Sequence, residues 1–229
     1  MTNPVCVIVG IGPKNGAAFA RCFDRAGYRI ALLSRSTSFS EGLVNELSEA
    51  RAYACDAADP ASVEAAFAQV RSDLGAVDVL IYNAGNGSWK DVEEITPEEF
   101  EQGWRVNSLG ALVASQQIIP DMKAQAVGNI IFVGATASLR GRQNTVGFAS
   151  AKAAQRSLAQ SMAKHLGPQG IHVSLLIIDG EIDLPGATNA EQGKRLDPDD
   201  IATLAYYLTT QPRSAWTFEV DIRPNQENW

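Results

Sequence analysis

Short, nearly continuous apolar runs alternate along the chain with stretches whose apolar residues recur every three or four positions. The runs Val5 to Val9, Arg29 to Leu33, Ala52 to Cys55, Val77 to Tyr82, Asn129 to Val133, Ile171 to Ile178 and Phe218 to Ile222 read as strands. Most lack polar alternation, as expected of parallel strands covered on both faces. Between them, Phe19, Cys22, Phe23 and Ala26 form one helical stripe, and Val63, Phe67, Val70 and Leu74 form another opened by Asp59-Pro60. Thr96-Pro97-Glu98-Glu99 reads as a capping box. An alanine-rich stretch runs from Val146 to Leu166 and stops at Gly167-Pro168, and Asp197-Pro198 opens the last helix. Seven strands alternating with six helices, with no linker and no repeat, predict one α/β domain over residues 1–229. It is a doubly wound, Rossmann-type domain with a seven-stranded parallel sheet and helices on both faces. Ligands of such sheets bind beyond the carboxyl ends of the strands, so the loops after the strands are where chemistry is expected.

Composition narrows the picture further. The 229 residues are 45% hydrophobic and 20% charged, the balance of a soluble globular chain. Lysine and arginine total 19 against 26 acids, and the net charge of −7 argues against nucleic acid and anionic membranes as partners. Cys6, Cys22 and Cys55 have no paired spacing, so neither a disulfide framework nor a metal site is expected, and a cytoplasmic location suits such thiols. Met1 to Gly12 reads as a first strand entering a turn rather than as a leader, and no apolar segment approaches the ~20 residues of a membrane span.

The first strand enters Gly10-Ile11-Gly12-Pro13-Lys14-Asn15-Gly16-Ala17-Ala18 and a helix follows at once. Glycines let a backbone approach a pyrophosphate, and the free amides of a helix start attract its charge. The G-x-G-x-x-G form is not met because position 15 is Asn; Gly12, Gly16 and small Ala18 give the spacing that fits. After the second strand, Leu33-Ser34-Arg35 offers no carboxylate for a free ribose 2′-hydroxyl. Arg35, with Lys14 as a second charge, suits a 2′-phosphate, so NADP(H) is expected over NAD(H), which stays possible.

These residues, taken with several farther along, resemble the short-chain dehydrogenase/reductase family over nearly the whole chain. Gly12, Gly16 and Ala18 match its glycine spacing, with Ala18 where a third glycine is usual. Asp56 resembles the family's adenine-contacting aspartate, and Asn83-Ala84-Gly85 its N-A-G signature beside the cofactor ribose. Asn107 and Lys152 are similar to the asparagine and lysine of the catalytic tetrad. Gly180 matches the Pro-Gly after strand six, where Asp179 departs. The weightier departures are Phe148, four residues before Lys152 at the catalytic tyrosine position, and Ala135 at the catalytic serine position.

The resemblance implies a hydride transfer in which tyrosine protonates the developing alkoxide while lysine and asparagine support it. Losing a general acid typically costs about 10² to 10⁴ in rate. Two readings follow: an NADP(H)-dependent oxidoreductase acting on a small carbonyl or alcohol with an altered proton donor, or a catalytically silent dinucleotide-binding sensor or partner subunit. Candidate replacement donors are Thr145, Thr136 and Ser138, whose hydroxyls otherwise bond nearby backbone, Tyr82, which otherwise packs in its strand, or a water held by Lys152. His165 and His172 read as structural, and Arg140 and Arg142 either meet an anionic substrate or solvate the surface. The segment from Asp179 to Asp197 is expected to close the substrate pocket, and related proteins pair through helices equivalent to Leu109 to Gln125 and Val146 to Leu166, which implies a homodimer or homotetramer.

Overall fold

The computed structural model describes residues 3–184 and 193–226. Its chain order begins β1 (Val5–Val9), α1 (Asn15–Arg25), β2 (Arg29–Ser34), α2 (Ser38–Val44), β3 (Ala50–Ala54), α3 (Pro60–Leu74) and β4 (Val79–Tyr82). It continues through α4 (Pro97–Trp104), a π-helical turn (Arg105–Leu109), α5 (Gly110–Gln125), β5 (Gly128–Ala135) and α6 (Val146–Leu166). β6 (Ile171–Ile178), β7 (Glu181–Ile182), β8 (Arg195–Leu196), α7 (Pro198–Thr209) and β9 (Glu219–Ile222) complete it.

Seven strands pair in parallel in the order β3-β2-β1-β4-β5-β6-β9, the doubly wound sheet that the apolar runs predict. Alternate residues of β1 divide between its faces: Val5, Val7 and Val9 join a core with α3, α5 and α6, while Cys6 and Ile8 join one with α1 and α7. The expected start signals operate. Asp59 accepts from the Ala61 amide, Asp197 from the Asp199 amide, and Thr96 and Glu99 close the reciprocal capping box.

Two features differ from the expectation. Seven α-helices are described instead of six, because α2 is too short to carry a stripe of its own. The segment after β6 holds a small parallel pair, β7 with β8, which brings Glu181 beside Arg195. The middle of that segment, residues 185–192, lies outside the described residues. Among the described residues no helix is long and apolar enough to cross a membrane, and all three cysteines are free. β1 has β2 on one side and β4 on the other, so the connections leaving β1 and β4 diverge. The crevice that opens there is where a ligand has access to backbone from both loops.

Candidate active site

The turn after β1 is built around Gly10. Its φ of +94° is one that L side chains rarely adopt, and a Cβ would lie 2.4 Å from the Ala84 amide nitrogen. The Gly10 amide donates to the Leu33 carbonyl at 2.8 Å, and the Gly10 carbonyl accepts from Asn83 Nδ2 at 2.6 Å. The loops after β1 and β4 are therefore held back to back, with Asn83, Ala84 and Gly85 beside the turn. Gly16 is tight as well, since a Cβ there would meet the Gly10 carbonyl oxygen at 2.9 Å, whereas nothing lies within 4 Å of a Cβ at Gly12. This corrects the expected spacing. Counted from Gly10, the same pattern falls on Gly10, Lys14 and Gly16, so the departure is a lysine at the second place rather than Ala18 at the third.

α1 starts at Asn15 with no side-chain cap and no acid in its first turn. Asn15 is buried, and its Oδ1 has no partner in the protein. An uncapped helix start and a glycine cradle together fit a phosphate-bearing ligand, and Asn15 Oδ1, an acceptor, is left for a hydroxyl or N–H donor on it. A cavity of about 550 Å³ extends from this cradle past Gly12, Lys14, Gly16 and Arg35 to Asp56. Asp56 is fixed by accepting from the Ala58 amide at 2.9 Å, while its own amide donates to Ser62 Oγ. Lys14 donates instead to the Ile182 carbonyl, which ties the turn to β7. Arg35, exposed just after β2, lines this cavity together with Lys14.

A second cavity, about 860 Å³, continues past Asn83, Gly85, Ala135, Phe148 and Lys152 to Asp179 and Gly180. Lys152 lies at its floor, 5% exposed, and donates to the Val133 carbonyl at 2.8 Å and to Gln155 Oε1 at 3.1 Å. Burial, with no carboxylate against it, pulls its pKa down to about 7. Asn107 sits in the π-helical turn, a distortion that re-aims side chains within a helix. Its Nδ2 donates to the Asn86 and Gly103 carbonyls at 2.6 and 2.8 Å, which leaves Oδ1 buried without a partner. Both free groups face the same space: a Cβ on Gly85 would be 3.5 Å from Asn107 Oδ1 and 3.7 Å from Lys152 Nζ.

Phe148, expected at the tyrosine position, presents hydrocarbon to this cavity. Its ring packs against Gly87 and lies 5.5 Å from the Trp89 ring, and Lys152 Nζ is 5.9 Å from its centroid. Of the replacement hydroxyls, Thr145 is buried in a mutual hydrogen-bond arrangement with the Arg142 backbone. Tyr82 is buried and donates to the Val106 carbonyl, and burial raises its pKa. Thr136 lines the cleft and donates to the Ile178 carbonyl at 3.3 Å, and Ser138 is buried with its Oγ unpartnered. His172 stacks on Trp216 and His165 is exposed, both outside the cleft. Sequence reasoning missed Gly10 as the anchor, along with Gln155 and Trp89. Gln155 has a signal, lying one helical turn after Lys152, whereas Trp89 had none.

Comparison with known proteins agrees with this geometry. The family model described as short chain dehydrogenase matches residues 4–195. An uncharacterized oxidoreductase of Staphylococcus aureus (strain N315) is 25% identical over 228 residues, covering 98% of each chain. The crystal structure of a short-chain dehydrogenase from Rhodopseudomonas palustris is similar with a TM-score of 0.87 and 32% identity, over 98% of this chain and 100% of that one. An alcohol dehydrogenase from the archaeon Thermococcus sibiricus, complexed with 5-hydroxy-NADP, gives a TM-score of 0.89 and 28% identity over 99% of both chains.

Proposed function

Because the chain belongs to the short chain dehydrogenase family, we propose that it is an NADP(H)-dependent oxidoreductase of a small carbonyl or alcohol, with Lys152 in place of the missing hydroxyl as proton donor. The observation that carries the reading is the cradle of Gly10 and Gly16, where side chains would collide, with the orphaned Asn15 beside it and Arg35 at its far end. The solved complex of a similar alcohol dehydrogenase with 5-hydroxy-NADP supports the choice of cofactor.

A bound nicotinamide supplies the hydride. The protein's part is to hold the proton and exclude competing groups. Lys152 Nζ has two of its three donors committed to Val133 and Gln155, which leaves one for the cleft. Asn107 Oδ1, unpartnered and facing the same space, would orient a water between Nζ and the carbonyl oxygen, through which Nζ would release its proton. The Phe148 ring stands beside Lys152, which is itself buried from the bulk solvent.

A second reading, a silent dinucleotide binder, draws on the same Phe148 ring, since it puts no hydroxyl where one is expected. Titration with NADPH and NADH at matched ionic strength tests the shared premise. Tight NADPH binding is expected, with Arg35→Asp weakening NADPH by at least about tenfold while sparing NADH. No binding of either dinucleotide would sink both readings, and binding without turnover on a broad carbonyl panel would leave the silent binder.

A further inference from the structure

Acids outnumber bases over the chain, yet the lining of the larger cavity inverts that balance. Its lining includes Arg140, Arg142, Lys194 and Arg195, against Asp179 and Glu181 among the described residues. Both carboxylates are already engaged: Asp179 meets Arg223 at 3.1 Å, and Glu181 meets Arg195 at 3.1 Å. Arg140 is only loosely bound to Asp179, at 3.9 Å. Arg142 forms no ion pair among the described residues. Its backbone, however, is not loose, because its amide donates to Thr145 Oγ1 at 2.8 Å and its carbonyl accepts from the Thr145 amide and hydroxyl at 3.1 Å. Thr145 is 3% exposed and sits at the start of α6, so Arg142 is presented from a fixed turn. A guanidinium carried on a fixed turn that lines the cleft, together with the apolar Phe148 and Trp89, is an arrangement suited to a carboxylate on a compact organic body.

We propose that Arg142, with Arg140 beside it, is a carboxylate subsite, so that the substrate is a carbonyl compound bearing a carboxylate. The substrate assignment rests on the oxidoreductase reading, whereas the subsite itself does not. One fork donating two parallel hydrogen bonds matches the planar geometry of a carboxylate. Glu181 is taken by Arg195 and Asp179 by Arg223, and Arg142 keeps its charge uncompensated among the described residues. Anions are thereby drawn to the cleft of a protein whose net charge would otherwise repel them.

The test is calorimetric titration of the protein with oxamate, a small carboxylate that cannot be reduced at a ketone, and with neutral acetamide. NADPH is titrated in parallel. Oxamate is expected to bind and acetamide to bind at least about tenfold more weakly. Arg142→Ala should remove most of that preference and Arg142→Lys should recover part of it, while Arg71→Ala, far from the cleft, leaves it unchanged. NADPH affinity is expected to stay the same in Arg142→Ala, which shows that the variant folds. Equal binding of oxamate and acetamide, or a preference untouched by Arg142→Ala, overturns the subsite. If oxamate binds through Arg142 and NADPH does not bind, the subsite stands and the oxidoreductase reading falls.

Discussion

Lys152 is a buried cation whose charge the fold tolerates only narrowly. The unfolded chain holds the lysine proton up to the ordinary value of 10.5, whereas the folded protein releases it near 7. Between those values the unfolded state binds more protons, so stability rises with pH through that window and the lysine opposes folding most below it. Lys152→Met is expected to remove that rise, as measured by thermal unfolding at a series of pH values. The proposed role of Lys152 as proton donor gives catalysis the opposite dependence. A terminal acid must be protonated, so kcat/KM for reduction is expected to fall as pH rises above about 7. Lys152→Arg keeps a cation that does not deprotonate and should flatten that fall, with a rate loss of about 10² to 10⁴. An unaltered pH profile in the arginine variant would exclude Lys152 as the donor.

The connection from β1 to α1 is decided by which glycine touches the neighbouring loop. Gly10 has both the positive φ and the contact with Ala84, and Gly12 has neither. Gly10→Ala is expected to cost roughly 2 kcal/mol or more in denaturant unfolding and to abolish dinucleotide binding. Gly12→Ala should change stability by less than about 0.5 kcal/mol. The reverse order would restore the spacing counted from Gly12. Periodicity and turn chemistry exposed the glycine-rich element itself, yet contact with Ala84, some 70 residues away, chose the working glycine. The same holds for the π-helical turn. Asn107 was legible by its place in Arg105-Val106-Asn107, but its orphaned Oδ1 follows from Nδ2 being committed to a carbonyl on the loop after β4.

In the whole molecule, one sheet serves two cores, and its central strands contribute alternate residues to each. Neither helical layer can leave without exposing strands that also support the other layer. Unfolding in denaturant is therefore expected as one transition, with circular dichroism and tryptophan fluorescence coinciding. Two separated transitions would divide the chain into more than one cooperative unit. The sheet also explains how the site is assembled. The loops after β1, β4, β5 and β6 all open at its carboxyl edge, which brings Gly10, Asn83, Ala135 and Gly180 around connected cavities.

The sequence by itself determined the strand runs, the helix starts at Asp59, Thr96 and Asp197, and the residue types at positions 107, 135, 148 and 152. These are local properties, written in side-chain period and in capping chemistry within a few residues. It also put Phe148 and Ala135 at the positions where the family resemblance leads one to expect a tyrosine and a serine. Tertiary structure alone decided that Gly10 outranks Gly12, that Lys14 is spent on Ile182, that Thr145 and Tyr82 are occupied, and that Arg142 stands at the cleft without an ion pair among the described residues. Each of those depends on a burial or a hydrogen-bond partner supplied from distant chain, and partner choice across such separations is fixed only when the sheet has packed.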